Sequence, residues 1–90
     1  IFAKRLQSVM QVLERVAFIR IEARLAAALL ERADDSGLVR ATHQELATAI
    51  GSVREVISRR LEILSKKGLV SLDRGTIQVV SRTGLAALIT

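Results

Sequence analysis

The sequence has 90 residues, enough for one small domain with a modest core. Half of the residues are hydrophobic but only Phe2 and Phe18 are aromatic, so the core must be aliphatic, a composition that favours helices over a large sheet. Because cysteine is absent, disulfides, thiolate metal sites and cysteine nucleophiles are excluded, and the longest strictly apolar run, residues 25–30, is too short to cross a bilayer. The net charge of +5 suits a polyanion such as DNA, although an excess of arginine that only keeps the fold soluble is an equal alternative.

The first segment, residues 1–16, has the hydrophobic spacing of a coiled-coil seam. The apolar positions alternate in steps of four and three: Phe2, Leu6, Val9, Leu13 and Val16. A seam this narrow usually meets another helix, from a second copy of the chain or from a domain outside the sequence; an amphipathic helix lying on its own core is the alternative. We therefore expect these residues to form a dimerisation helix. Since the sequence starts inside that helix, we also expect it to be a piece of a longer protein.

A second helix and a turn follow. The hydrophobic pattern shifts register at residues 17–20, which indicates a bend, and apolar positions from Ile21 to Ala33 then define the second helix. Asp-Asp-Ser-Gly at 34–37 supplies a turn, and residues 38–41 are a short extended segment.

Two capping boxes predict the starts of two closely spaced helices. In the first, the Thr42 hydroxyl accepts from the Glu45 amide and the Glu45 carboxylate returns to the Thr42 amide, and the helix should run from His43 to Ile50. Gly51 then suits a tight turn that needs positive φ.

The second capping box begins at Ser52, pairs it with Glu55, and predicts a helix that reaches Lys67. The core stripe of this helix is Ile57, Leu61 and Leu64. At 100° per residue, the opposite, outer face carries Glu55, Ser58, Arg59, Glu62 and Lys66.

A hairpin completes the pattern. Strands at 69–72 and 76–80 flank a turn at 73–75, and Ser81 can cap a last short helix. Two short helices around a glycine-containing turn, with the small Ala47 allowing close approach and a hairpin following, are typical of a winged helix-turn-helix. The predicted fold class is therefore mainly α with a small β-hairpin, a winged helix-turn-helix preceded by a dimerisation helix.

The outer face of the second helix of this motif suits base edges in DNA. Arginine matches guanine O6 and N7, a carboxylate accepts from the cytosine amino group, and recognition helices read bases mostly near their N-terminus. The residues predicted to read bases are Arg54, Glu55, Ser58 and Arg59. A solvated surface, with the arginines paired to Glu55 and Glu62, is the alternative.

Phosphate contacts are predicted for four residues near the helix starts and the wing tip. They are Thr42, Gln44, Ser52 and Arg74. For Thr42 a cap alone is an equal alternative, and for Arg74 a solvated turn residue. The single histidine, His43, fits a bystander or a phosphate neighbour better than a metal ligand, since no cysteine or carboxylate cluster accompanies it. No nucleophile–base pair or phosphate-cradling glycine loop supports catalysis, so we expect no enzyme, no metal and no cofactor in this segment.

Four short runs carry a family resemblance: T-H-Q-E-L-A at 42–47, I-G at 50–51, R-E-V-I-S-R at 54–59 and K-G-L-V at 67–70. In these runs the chain resembles the Crp/Fnr superfamily (catabolite activator and fumarate-nitrate regulator) of transcription regulators. The resemblance implies that residues 1–18 end the family's dimerisation helix and that residues 19–90 form its winged helix-turn-helix.

The resemblance also implies a function: a cytoplasmic, sequence-specific DNA-binding regulator, active as a homodimer on a near-palindromic operator. Arg54-Glu55 with Arg59 is similar to the catabolite-activator readout, and Glu55 with Ser58-Arg59 is similar to the fumarate-nitrate-regulator readout. RNA polymerase is an implied partner if the protein activates. The effector-binding β-barrel of the family is outside this sequence, so its effector stays unknown.

The chain departs from the family at two positions. Val53 stands where the family usually has Ser or Thr, and Arg20 stands where an Asp or Ser cap is common. Two other functions compete with DNA binding: a winged helix used only for protein–protein contact, which needs an apolar recognition face, and a membrane-surface helix at residues 1–20, which needs a broad basic face.

Overall fold

The computed structural model describes residues 20–89, of which residues 20–32 form helix α1. The predicted dimerisation seam lies outside the described residues. The remaining elements are β1 (Leu38–Val39), α2 (His43–Ile50), α3 (Arg54–Lys66), β2 (Val70–Asp73), β3 (Thr76–Val79) and α4 (Arg82–Ile89). The described part is mainly helical with a small antiparallel sheet, which confirms the predicted mainly α fold with a β-hairpin.

The sheet has three strands in the order β1-β3-β2, so the hairpin of β2 and β3 gains a short third strand from the segment before α2. Leu38 and Val39 of β1 pair with Gln78 and Ile77 of β3. The hairpin closes at the Asp73–Thr76 pair and forms the wing. Because β1 leads directly into α2, the sheet fixes where α2 begins relative to the wing.

The core is aliphatic, as the composition predicts. Its largest fully buried side chains come from every helix and from the sheet: Leu25, Leu29, Leu46, Ile57, Leu61, Leu64, Ile77, Leu85 and Val39. No charged or polar residue is fully buried within residues 20–89. The fold is therefore held by apolar packing between the helices and one face of the sheet.

A turn after α1 contacts both β3 and α4. The Asp34 carboxylate accepts from the Ser36 hydroxyl at 2.6 Å and from the Leu38 amide at 3.0 Å, and the Arg82 guanidinium donates to the Asp34 carbonyl at 2.6 Å. The Ser36 hydroxyl, and then the Leu38 amide, hold the pKa of Asp34 below its ordinary value. Gly37 has φ +85°, and an added Cβ would lie 2.9 Å from the Val79 carbonyl oxygen. A side chain there would be strained by the backbone conformation and by the neighbouring strand.

The structure corrects details of the helix starts. The Thr42 hydroxyl accepts from the Glu45 amide at 3.0 Å as predicted, but the Glu45 carboxylate bonds the Thr42 hydroxyl at 3.2 Å instead of the Thr42 amide. The second capping box is wrong: the N-cap of α3 is Val53, which makes no side-chain cap bond. Ser52 instead donates its amide to the Ala47 carbonyl at 2.8 Å, because the chain is still turning out of α2 at that point.

The end of α3 and the start of α4 agree closely with the sequence prediction. Helix α3 ends at Lys66, one residue before the predicted Lys67, and the Ser81 hydroxyl caps α4 by accepting from the Gly84 amide at 3.0 Å. Within residues 20–89, every helix is too short or too polar to cross a membrane.

Candidate nucleic-acid interface

A tight turn joins α2 to α3 and sets the angle between them. Gly51 adopts φ 76° and ψ 36°, a left-handed conformation that glycine takes without strain, and its amide bonds the Ala47 carbonyl. Leu46 and Ala47 are fully buried between the helices. The absence of a bulky side chain at Ala47 lets α3 approach α2, as predicted.

The buried stripe of α3 fixes which face looks outward. Ile57, Leu61 and Leu64 have no exposed surface, whereas the side chains of Arg59 and Glu55 are 72% and 75% exposed. Arg54 and Glu62 are exposed as well, and Ser58 is half-buried. The face predicted to read bases is therefore a solvent-facing polar surface, and it lacks the apolar character that a purely protein-binding winged helix needs.

Two of the predicted base-reading side chains pair with each other. Arg59 Nη2 lies 2.6 Å from Glu55 Oε1, one helical turn away. Since both side chains are exposed, this ion pair is weak, worth about 0.3–0.5 kcal/mol. It holds the guanidinium over the N-terminal half of α3 while leaving it free to exchange partners.

The lone histidine has a specific partner that the sequence did not reveal. His43 Nδ1 and Ser58 Oγ are 2.7 Å apart, so the first residue of α2 is bonded to the outer face of α3. The two residues are 15 positions apart, and only the helix crossing brings them together. The sequence indicates a turn at Gly51 and places Ser58 on the outer face of α3. Neither signal determines the crossing angle of the two helices.

An open cleft of about 630 Å³ brings the start of α2, the start of α3 and the wing together. It is lined by Thr42, His43, Gln44 and Arg54 on one side and by Asp73, Gly75 and Thr76 on the other. Of the predicted phosphate-contacting residues, Thr42 and Gln44 lie on the cleft wall. Ser52 is half-buried in the turn, and Arg74 is exposed at the wing tip, where its amide bonds the Asp73 carboxylate at 2.7 Å.

A second ion pair secures the inner side of α3. Arg60 Nη1 lies 3.6 Å from Glu22 Oε1 of α1, and both side chains are mostly buried, with 20% and 16% exposed. This contact links the inner side of α3 to α1. Residues 20–89 contain no group of His, Cys, Asp and Glu side chains that could hold a metal ion.

These features define a winged helix-turn-helix domain, a class in which the second helix of the motif is the DNA-recognition helix. The chain belongs to the Crp-like helix-turn-helix domain family, whose model matches residues 23–88. It is 39% identical over 84 residues to the transcriptional regulator SdrP of Thermus thermophilus, a match that covers 84% of this chain and 42% of that protein.

Solved structures agree with this assignment. The catabolite activator protein of Thermus thermophilus matches 98% of the chain with a TM-score of 0.85 and 32% identity, over 42% of its own length. The reduced Fe(II) CO-sensing protein from R. rubrum matches 98% with a TM-score of 0.90 and 32% identity, over 45% of its length. The chain thus spans less than half of each relative. These matches confirm the predicted Crp/Fnr resemblance and make the chain a DNA-binding domain of the transcription-regulator class, whose members are generally not enzymes.

Proposed function

We propose that the chain reads a specific DNA sequence with the outer face of α3 in the major groove. The observation that carries the proposal is the orientation of α3: its buried stripe turns Glu55 and Arg59 outward near the N-terminal end, where a recognition helix meets base edges. Arg54 and Arg59 suit guanine, and Glu55 suits the cytosine amino group. Ser58 completes the base-reading set.

The phosphate backbone is held on both sides of that helix. Thr42, Gln44 and Ser52 lie at or beside the starts of α2 and α3, where the positive end of the helix dipole attracts anions. Arg74, exposed at the wing tip, would reach the backbone beyond the cleft. Contacts of this kind position a domain on the duplex, while the α3 side chains supply sequence preference.

The complete regulator is proposed to be a homodimer. In this proposal residues 1–18 are the end of a dimerisation helix and residues 19–90 the DNA-binding domain, so two copies would present two α3 helices to one face of the duplex. A two-fold dimer reads a near-palindromic operator whose half-sites lie one helical turn apart, about 34–36 Å. If the protein activates transcription, RNA polymerase is its further partner, and the effector binds a domain outside this sequence.

Selection of bound sites from a duplex library with a randomised centre tests this function. We expect the 90-residue chain to enrich a G·C-containing half-site, and the enrichment to persist at raised salt while non-specific binding weakens steeply. Arg54→Ala should change or erase the enriched sequence. Lys67→Ala, which removes the same charge at the far end of α3, should retain the sequence. Recovery of random sequence by the unaltered chain would contradict the proposal.

A further inference from the structure

A hydrogen bond joins His43, at the start of α2, to Ser58 on the outer face of α3. A serine inside a helix commonly donates its hydroxyl to a backbone carbonyl one turn earlier in its own helix. In α3 the Ser58 hydroxyl is instead bonded to His43 Nδ1 at 2.7 Å. Both residues are half-buried, so this bond is protected from exchange with bulk water more than the exposed pair of Glu55 and Arg59.

We propose that His43 is a specificity-determining residue that acts through Ser58 by fixing the direction of its hydroxyl hydrogen. The proposal rests on the proposed role of Ser58 in base reading. A hydroxyl has one hydrogen to donate and two lone pairs that accept. When the hydrogen is given to His43, the oxygen offers only lone pairs to the groove. It then favours the amino groups of cytosine or adenine and disfavours the acceptor atoms of guanine and thymine.

The cleft beside His43 bears on which ring nitrogen carries hydrogen. His43 lines the cleft together with Thr42 and Gln44, on the side where phosphates are proposed to lie. Phosphate oxygens only accept hydrogen bonds, so a ring that contacts a phosphate through Nε2 donates a hydrogen from that nitrogen. The proposal requires that this is the only ring hydrogen, because Nδ1 is then the acceptor and Ser58 the donor.

The first test is an NMR measurement on the histidine ring. His43 is the only histidine in the chain, so long-range ¹H–¹⁵N correlation spectra report its two ring nitrogens without ambiguity. The proposal predicts a hydrogen on Nε2 and none on Nδ1, and the Ser58→Ala variant should shift the Nδ1 resonance. A hydrogen on Nδ1, alone or with one on Nε2, would overturn the proposal.

The second test is a double-mutant cycle on base preference. The selected duplex and its single-base-pair variants are bound by the unaltered chain, His43→Ala, Ser58→Ala and the double variant, each checked for folding by thermal unfolding. At one position the unaltered chain should prefer the amino-bearing base by about two- to twelvefold, the net effect of one hydrogen bond. Each single variant should lose that preference, the double variant should lose no more, and other positions should be unchanged.

The outcomes distinguish a failure of this inference from a failure of the proposed function. If the unaltered chain is selective but His43→Ala retains the preference, or weakens all duplexes equally, His43 is a phosphate or packing residue and this inference fails alone. If the unaltered chain has no base preference at any position, the proposed function fails with it. His43→Asn, which keeps an acceptor near the position of Nδ1, should restore part of the preference.

Discussion

Replacing Arg59 by alanine is expected to weaken operator binding far more than binding to random DNA. A bidentate arginine–guanine contact contributes about 1–3 kcal/mol of discrimination. To make that contact Arg59 must leave Glu55, and because the side chains are 72% and 75% exposed, releasing this pair costs only about 0.3–0.5 kcal/mol. The net loss on the operator should therefore be about 0.5–2.7 kcal/mol, a factor of roughly 2 to 100.

Fluorescence anisotropy titrations on the selected operator and on random duplex, at several salt concentrations, measure this loss. For a base contact, the slope of log K against log salt should stay unchanged, whereas loss of a phosphate contact lowers it by about one. Arg59→Lys is the matched control: it keeps the charge but lacks the planar fork, so it should also lose discrimination while retaining affinity for random DNA. Equal losses of Arg59→Ala on both duplexes, with a smaller slope, would refute the base-reading role.

Three further predictions concern the fold and the assembly. Leu61→Ala removes a fully buried side chain and should lower the free energy of unfolding, measured by urea denaturation, by about 2–5 kcal/mol. Glu62→Ala changes the exposed neighbour and should lower it by about 0.5 kcal/mol or less. Equal effects would contradict the burial of Leu61. The pKa of Asp34 is lowered in the folded state, so its ionised carboxylate stabilises the fold above the ordinary value of 3.8, and this stabilisation is lost as the pH falls below it. The difference in free energy of unfolding between the unaltered chain and Asp34→Ala should therefore shrink on acidification. A difference that grows would contradict the role of Asp34. Replacing Leu6 and Leu13 by Asp should make the chain monomeric, and an unchanged sedimentation coefficient would defeat the coiled-coil assignment.

Much of the described fold follows from local signals in the sequence. The period of Ile57, Leu61 and Leu64 predicts both the length of α3 and its outward face, because each helix of a small domain has one core to bury. Gly51 marks the turn of the motif because positive φ is strained for other residues. The hairpin of β2 and β3 is predicted by β-branched residues around a glycine turn.

What the sequence missed depends on tertiary geometry. Ser52 has the right spacing to Glu55 for a capping box, but the turn out of α2 uses its amide, so Val53 takes the N-cap position. The bond between His43 and Ser58 joins residues on two helices, and its existence depends on their crossing angle. Neither hydrophobic periodicity nor the capping rules predict that crossing angle.

The central claim, that the outer face of α3 enters the major groove, is tested most directly by methylation interference on the selected operator. Dimethyl sulfate methylates guanine N7 in the major groove and adenine N3 in the minor groove. The account predicts that methylated guanines of the half-site are excluded from bound DNA and that Arg59→Ala loses this exclusion at one guanine. Interference only at minor-groove adenines, or at no base, would contradict the account.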